Sequence, residues 1–243
     1  MAVFSRKGSG IFKKRLFCSA VIVAAGESRR MDGGDKLFLE INGAPVLAHT
    51  LMAFQKCACI DEIVVVVREE ELARVSGICG KLGVDKAVRI MTGGPTRQVS
   101  VLNGLLAVSK KAKYVAIHDG ARPCVSVDII ERTVAAAVKS HAAAPGLQVS
   151  STLKRVDGGV IRETVDREGL YEVQTPQVFD VDLIKAALTN VTKKGLDVTD
   201  DCTAVELLGV GVFITEGSAR NLKITEKDDL TIAEVLLRQR LVV

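Results

Sequence analysis

The sequence predicts an α/β fold: a Rossmann-like, mostly parallel sheet with helices on both faces, and a β-hairpin arm that projects from it. Short β-branched runs alternate with longer helical patterns, which is typical of successive strand–helix–strand crossovers. The run IVVVV at 63–67 shows no polar alternation, which indicates a strand covered on both faces. The rhythm breaks at 151–171, where Asp157-Gly158-Gly159 separates two polar, Thr-rich segments, and this pattern predicts the arm.

The hydrophobic pattern assigns the remaining elements in chain order. Strands are predicted over residues 20–25, 63–68, 88–91, 114–118 and 210–215, and helices over 45–55, 69–82, 98–109, 127–139, 181–190, 203–208 and 227–239. We expect residues 18–243 to form a single domain with the arm at about 151–171, and two small domains are the alternative. Residues 1–17 are basic and lack a long apolar stretch, so we expect a disordered extension in preference to a targeting peptide.

The composition limits the classes of function. Aromatic residues make up 4% and Trp is absent, which argues against stacking on single-stranded nucleic acid, and the net charge of +4 is scattered, which argues against a DNA-binding surface. No apolar run is long enough for a membrane helix. Six cysteines show no C-x-x-C spacing, so we expect reduced thiols, no structural metal site and a cytoplasmic protein.

The loop after the first predicted strand is the first candidate binding site, because ligands of open α/β sheets bind beyond the carboxyl ends of the strands. Ala24, Ala25 and Gly26 would let a phosphate chain approach the backbone, and Arg30 and Lys36 add positive charge. The loop completes neither G-x-G-x-x-G nor G-x-x-x-x-G-K-[ST]. Taken alone, it is equally consistent with a mobile basic surface loop.

Several segments, taken together and in order, resemble one family. They are AAGESRRM at 24–31 with the following Lys36, GGPTRQVSVLNG at 93–104, HDGARP at 118–123, TLK at 152–154, TVDR at 164–167, QTPQ at 174–177, TDD at 199–201 and NLKIT at 221–225. The first is similar to the signature of the sugar-nucleotidyltransferase superfamily, and the set resembles the methylerythritol phosphate cytidylyltransferases over residues 20–237. The resemblance implies a nucleotide-diphospho-sugar transferase type of fold. It also implies transfer of CMP from CTP to 2-C-methyl-D-erythritol 4-phosphate in isoprenoid precursor biosynthesis.

The resemblance further implies roles for single residues. The catalytic cations would be Arg30, Lys36 and Lys223, assisted by a Mg²⁺ ion held mainly by the CTP phosphates. The nucleotide contacts would be Ala24, Ala25, Gly26, Gly94, Ser100 and Asp119, with Gly94 and Ser100 at the cytosine. The acceptor contacts would be Arg122, Thr152, Arg167 and Thr199. Thr152 and Arg167 lie on the arm and would reach the site of a second subunit, so the resemblance implies a homodimer formed by arm exchange.

Each of these residues also has an ordinary structural explanation when taken singly. Ser100 suits the start of a helix, Asp119 a turn and Thr199 an N-cap, while Arg122 suits a surface ion pair and Lys223 a solvated surface. His49 and His118 are interpreted as structural.

Two departures from the family pattern and two other functions stay open. Pro95 stands where the family often has an acid, and Asp35 stands where it often has a proline before the lysine. A ribitol 5-phosphate cytidylyltransferase would share the CTP half of the site and differ in the acceptor pocket. A non-catalytic nucleotide-binding regulatory module is the alternative from another class, although the presence of both Arg30 and Lys36 argues against it.

Overall fold

The computed structural model describes residues 16–26 and 35–240, and its regular elements are numbered here in chain order. Within these residues the strands are β1 Cys18–Ala24, β2 Glu40–Ile41, β3 Ala44–Pro45, β4 Glu62–Val67, β5 Ala87–Thr92, β6 Tyr114–Asp119, β7 Ala142–Gln148, β8 Leu153–Asp157, β9 Val160–Val165, β10 Tyr171–Val173, β11 Gln177–Asp180 and β12 Phe213–Glu216. The α-helices are α1 Val46–Lys56, α2 Leu72–Leu82, α3 Arg97–Ala107, α4 Val127–Ser140, α5 Val181–Lys193, α6 Asp201–Glu206 and α7 Lys227–Arg240. Two 3₁₀ turns, Lys36–Phe38 and Glu69–Glu71, complete the set.

One eight-stranded sheet forms the centre of the molecule, in the order β10-β7-β11-β6-β1-β4-β5, with β12 on the other side of β7. Strand β1 pairs in parallel with β4 and β6, β4 pairs in parallel with β5, and β12 pairs in parallel with β7. The predicted mostly parallel α/β sheet is therefore confirmed. The antiparallel insertion of β11 between β6 and β7 was not predicted.

Alternate side chains of β1 explain why helices cover both faces. Ala20 and Ile22 pack with α1, α2 and α4 in one buried cluster, and Val21 packs with α3 and α5 in the other. Helix α3 lies very close to the sheet because residue 104 is glycine: a Cβ there would lie 2.5 Å from Cγ1 of Val21. The absence of side-chain bulk at Gly104 thus sets the distance between α3 and the strand that leads into the candidate loop.

Most predicted elements appear within a few residues of their expected bounds, but β2, β3, β7, β10 and β11 were not predicted. Strand β7 has the sequence AAAPGLQ, which contains no β-branched residue and includes both Pro145 and Gly146. Its first three alanines are nevertheless fully buried between the two helical layers. Tertiary packing against small side chains, and not local β propensity, produces this strand.

The predicted arm is present as a separate two-stranded sheet. Strands β8 and β9 pair with each other and with no other strand among the described residues. Gly158 and Gly159 have φ values of +57° and +78°, as a tight hairpin turn with positive φ at both central positions requires. Most side chains of the hairpin are exposed, including Val156, Val160 and Ile161.

The predicted N-terminal extension lies almost entirely outside the described residues. Within it, the carbonyl of Phe17 accepts hydrogen bonds from the backbone N–H groups of Lys113 and Tyr114. At the other end of the chain, residues 241–243 lie outside the description as well. None of the helices in 16–26 and 35–240 is long and apolar enough to cross a membrane.

Candidate functional site

A cavity of about 520 Å³ opens where the parallel strands β1, β4, β5 and β6 reach their carboxyl ends. Its lining residues are Val23, Ala24, Ala25, Gly26, Lys36, Leu37, Arg68, Gly94, Pro95, Thr96, Arg97, Ser100, Asp119, Ala121 and Lys223. Eight of the thirteen residues nominated from the sequence therefore lie around one space. This position at the sheet edge is the one that the α/β architecture favours for ligands.

The Gly93-Gly94 turn and Ser100 form one wall of the cavity. The Ser100 hydroxyl is buried, accepts a hydrogen bond from the Gly94 N–H at 3.0 Å, and lies 2.9 Å from the Thr96 carbonyl, to which it donates. A Cβ at Gly93 would lie 2.4 Å from Cβ of Ala25, and one at Gly94 would lie 2.2 Å from Cγ1 of Val99. Glycine is required at both positions by close packing. The predicted cytosine contacts of Gly94 and Ser100 remain predictions.

Lys36 lines the same cavity and begins a short 3₁₀ turn, and its ammonium group donates to the Ile224 carbonyl at 2.8 Å. Asp35 caps this turn by accepting from the Leu37 N–H at 3.1 Å, and it forms an ion pair of 2.5 Å with Arg68. The carboxylate before Lys36 thus caps the turn and lies against a cation. Arg68 also contacts two neighbouring glutamates, so its positive charge is shared among three carboxylates.

Asp119 ends β6 and receives a different cation on each carboxylate oxygen. Arg97 contacts Oδ1 at 3.3 Å and Lys223 contacts Oδ2 at 2.8 Å. Burial by itself would raise the pKa of this carboxyl, but the positive charges of Arg97 and Lys223 outweigh that effect and hold the pKa well below its usual range. Asp119 is therefore an ionised, fully oriented acceptor at the cavity.

His118, the residue before Asp119, is structural, as the sequence interpretation held. Thr175 Oγ1 accepts from the Asp119 N–H at 3.2 Å and lies 3.0 Å from His118 Nδ1. Because the Arg122 carbonyl beside Nε2 can only accept, the neutral ring carries its proton on Nε2, and Nδ1 accepts from the Thr175 hydroxyl. The Nε2–H of His118 then faces the Arg122 carbonyl at 3.4 Å. Complete burial lowers the pKa of His118 to about 3. A neutral imidazole thus supports the backbone on both sides of Asp119.

Arg122 is fixed beside the cavity and does not line it. Its guanidinium donates to the Asn221 carbonyl at 2.7 Å, and burial lowers its pKa. Asn221 is itself fully buried, and its amide donates to the Thr175 carbonyl at 2.9 Å. The loop that carries Lys223 is thereby tied to the end of β6.

Three other nominated residues lie apart from the cavity within this chain. Thr152 and Arg167 are exposed at the base of the arm, where Arg167 donates to the Ser150 carbonyl. Thr199 is exposed before α6, with its hydroxyl 3.4 Å from that of Thr203. The thirteenth, Arg30, falls in the segment 27–34, which is outside the described residues.

Sequence reasoning missed three charged residues at the site. Arg97 and Arg68 line the cavity, and Asp201 is paired with Arg97 at 2.8 Å while only 1% of its side chain is exposed. Arg97 and Asp201 both occur in segments that carry the family resemblance, and this was the available signal. Their mutual contact joins α3 to α6 across 104 positions of sequence, a distance that no local pattern spans.

Comparison with known proteins agrees with this geometry. The family model described as 2-C-methyl-D-erythritol 4-phosphate cytidylyltransferase matches residues 18–239. The chain belongs to this family. It is 41% identical over 223 residues to the 2-C-methyl-D-erythritol 4-phosphate cytidylyltransferase of Halalkalibacterium halodurans, covering 91% of this chain and 97% of the relative. It is 44% identical to the protein of the same name from Clostridium acetobutylicum, covering 90% and 97%.

Solved structures give the same result for the fold of this cytidylyltransferase family member. The crystal structure of 4-diphosphocytidyl-2C-methyl-D-erythritol synthase from Anaerococcus prevotii matches with a TM-score of 0.82 and 32% identity, covering 92% of this chain and 99% of that one. That of 2-C-methyl-D-erythritol 4-phosphate cytidylyltransferase from Thermus thermophilus matches with a TM-score of 0.76 and 36% identity, covering 90% and 98%. The resemblance drawn from the motifs is confirmed.

Proposed function

We propose that this protein transfers CMP from CTP to 2-C-methyl-D-erythritol 4-phosphate, producing 4-diphosphocytidyl-2-C-methyl-D-erythritol and pyrophosphate for isoprenoid precursor biosynthesis. Family membership supports the reaction. The observation that supports it for this chain is the cavity at the strand ends, which is lined by Lys36, Lys223 and Asp119 together with the small residues Ala24, Ala25 and Gly26. This arrangement suits a nucleoside triphosphate whose phosphates approach backbone and cations together.

The reaction requires electrostatic stabilisation of its transition state more than it requires proton transfer. A phosphate oxygen of the acceptor attacks the α-phosphorus of CTP, a new P–O bond forms, and the bond to the pyrophosphate leaving group breaks. Negative charge grows on the non-bridging and leaving oxygens, so fixed cations are the effective catalytic groups. Arg30, Lys36 and Lys223 are proposed for this role. A phosphate dianion needs no general base, which agrees with the structural engagement of His118.

A Mg²⁺ ion is proposed to bind with the triphosphate. In the described lining of the cavity the sole carboxylate is Asp119, and both of its oxygens already contact cations. No group of three or more His, Cys, Asp or Glu side chains suited to a metal occurs in the described part of the chain. These donors fit an ion held mainly by phosphate oxygens and water, as Mg²⁺ commonly is. Its chemical contribution would be neutralisation of the phosphate charge.

The acceptor half of the site is proposed to come from two subunits. Thr152 and Arg167 lie at the base of an exposed hairpin that pairs with no other strand described here. A lone two-stranded hairpin is marginally stable in water, and a symmetric dimer would give each arm a surface to cover. The apolar side chains of Val156, Val160 and Ile161 on the arm are exposed and suit such burial. Thr199 would contribute from the subunit that binds CTP.

A cytoplasmic location is proposed from the cysteines. All six are free thiols, and five of them are buried: Cys18, Cys57, Cys79, Cys124 and Cys202. Cys57 and Cys59 lie with their sulfur atoms 3.2 Å apart without a disulfide. This usage is typical of a reducing compartment.

The decisive experiment measures pyrophosphate release with each of the four nucleoside triphosphates against methylerythritol phosphate and ribitol 5-phosphate. We expect turnover with CTP and methylerythritol phosphate, and at most a small rate with UTP, because a site built for the cytosine amine leaves polar groups unpaired with uracil. Equal rates with UTP and CTP would remove the cytidylyl assignment. A preference for ribitol 5-phosphate would move the chain to the sister activity, and CTP binding without product would favour the non-catalytic module.

A further inference from the structure

The described residues contain a chain of charges that leads from a half-exposed lysine at the cavity to a buried carboxylate inside the protein. It runs from Lys223 to Asp119, then to Arg97 and finally to Asp201. These residues come from four separate places: the loop after β12, the end of β6, the start of α3 and the start of α6. Because these ion pairs connect four places in the fold, they hold the side chains in position as well as pairing their charges.

Asp201 is the inner end of this chain and is itself held firmly. Its backbone N–H donates to Gln177 Oε1 at 3.0 Å, and Gln177 Nε2 donates to the neighbouring Asp200 at 2.7 Å. Gln177 is buried on β11, in the middle of the sheet. The carboxylate that anchors Arg97 is therefore tied to the central sheet through Gln177.

Arg97 suits this place in a way that lysine would not. Its guanidinium directs Nε towards Asp119 and a terminal nitrogen towards Asp201, which is a fork that bridges two carboxylates at once. The side chain is 30% exposed, whereas that of Asp201 is 1% exposed. Since a buried carboxylate without a cation is strongly unfavourable, the pair fixes Arg97 in one orientation.

The fixed orientation of Arg97 affects both Asp119 and Lys223. Without Arg97, Asp119 would keep Lys223 as its direct ion-pair partner, and that lysine would be drawn towards the carboxylate instead of towards phosphate. With Arg97 in place, one oxygen of Asp119 is satisfied from within the protein. Lys223 can then exchange its contact with Asp119 for a contact with a ligand phosphate at smaller cost.

We propose that Arg97 is a positioning residue, anchored by Asp201, that holds Asp119 ionised and oriented at the cavity and leaves Lys223 available to the substrate phosphates. This proposal rests on the proposed function, because it assigns Asp119 and Lys223 to the nucleotide and its phosphates. Arg97 acts through these residues in the reaction and is not itself assigned a contact with the reacting atoms.

The charged and titratable groups around Asp119 make the proposal testable by pH. The cations that face it are Arg97, Lys223 and the more distant Arg122, while Asp201 is the nearby acid and His118 is neutral. Loss of a neighbouring cation raises the pKa of an aspartate by about one to three units. In the variant Arg97→Gln, the pKa of Asp119 should therefore rise by that amount.

A second variant separates positioning from stability. Arg97→Gln leaves Asp201 buried without its cation, so we expect a lower melting temperature. Adding Asp201→Asn removes that buried charge and should restore much of the melting temperature, but it cannot restore the cation beside Asp119. The double variant should therefore stay about tenfold or more below the unaltered protein in kcat/KM at pH 7. Arg238→Gln, which removes an exposed ion pair with Glu234, is the matched control for loss of an arginine.

The titration of the Asp119 carboxyl, followed by ¹³C NMR and assigned with Asp119→Asn, supplies a measurement that does not depend on activity. We expect its titration to shift to higher pH in the double variant and to stay unchanged in Arg238→Gln. Recovery of both activity and melting temperature in the double variant, or an unmoved Asp119 titration, would overturn the proposal. Failure of the unaltered protein to release pyrophosphate would instead overturn the proposed function, and the titration would still decide the role of Arg97.

Discussion

The cavity and the arm are organised in opposite ways. Around the cavity, each key side chain has a partner inside the protein: Lys36 donates to Ile224, Lys223 and Arg97 contact Asp119, and Ser100 supports the Gly93-Gly94 turn. Along the arm, the polar contacts are local, such as the exposed pair of Arg155 with Glu163, and apolar side chains face solvent. The cavity is therefore held together by contacts within one chain, whereas the apolar side chains of the arm are left uncovered by the described residues, as the proposed exchange of arms expects.

The largest effect should come from removing a cation that lines the cavity. Lys36→Ala removes a fixed cation at the phosphates, and we expect turnover to fall by about 10²-fold or more, as for loss of a transition-state donor. Binding of CTP, measured by calorimetry, should weaken much less. Lys81→Ala, at an exposed position of α2, is the matched control and should keep normal turnover. Near-normal turnover in Lys36→Ala would remove this lysine from the mechanism.

The arm side can be tested by mixing two inactive variants, Lys36→Ala and Arg167→Ala, under conditions of subunit exchange. A hybrid dimer would hold one site with both residues intact, so we expect activity to return to about half per hybrid if the sites are independent. Pyrophosphate release and sedimentation of the mixture measure activity and assembly. Two preparations of Lys36→Ala mixed together should stay inactive. Demonstrated exchange without activity, or an active monomer, would contradict the shared site.

The pH dependence of stability tests whether His118, at the end of β6, stays neutral in the folded protein. The pKa of His118 is lowered to about 3 in the folded protein, so between pH ~3 and pH ~6.5 the unfolded chain binds up to one more proton than the folded chain. This contribution to stability is complete above pH ~6.5 and declines on acidification by up to about 1.4 kcal/mol per pH unit. In His118→Gln, the free energy of unfolding, measured by urea denaturation, should fall less steeply between pH 6 and pH 4 than in the unaltered protein. An unchanged dependence of this free energy on pH would mean that the pKa of His118 is not lowered.

The smallest expected effect is a change in the free energy of unfolding when either of two helical glycines is replaced by alanine. Gly104→Ala places a methyl group against Val21 behind the cavity, so we expect the free energy of unfolding to fall by about 1–3 kcal/mol. Gly77→Ala on α2 meets nothing within 4 Å and should raise it by up to about 1 kcal/mol through helix propensity. Urea denaturation of both variants gives the two signs directly. Stabilisation by Gly104→Ala would show that α3 can move away from the sheet.

Local sequence pattern was sufficient for much of the fold. The apolar runs of β1, β4 and β6 predicted buried parallel strands, and Gly158-Gly159 predicted the hairpin turn, because each signal is carried by adjacent residues. Strand β7 was not predictable in this way. Its Ala-Ala-Ala-Pro-Gly sequence becomes a strand only because α4 and the neighbouring strands require a thin layer at that position.

By itself, the sequence determined the fold class, the family and eight of the residues that line the cavity, because these signals lie in short segments such as AAG, GGPTR and HDGARP. The tertiary structure decided how those residues are connected. It placed Asp35 against Arg68 and joined Arg97 to both Asp119 and Asp201, which are 22 and 104 positions away along the chain. Ion pairs of this range depend on how strands and helices are stacked, and burial then sets their strength and their pKa values.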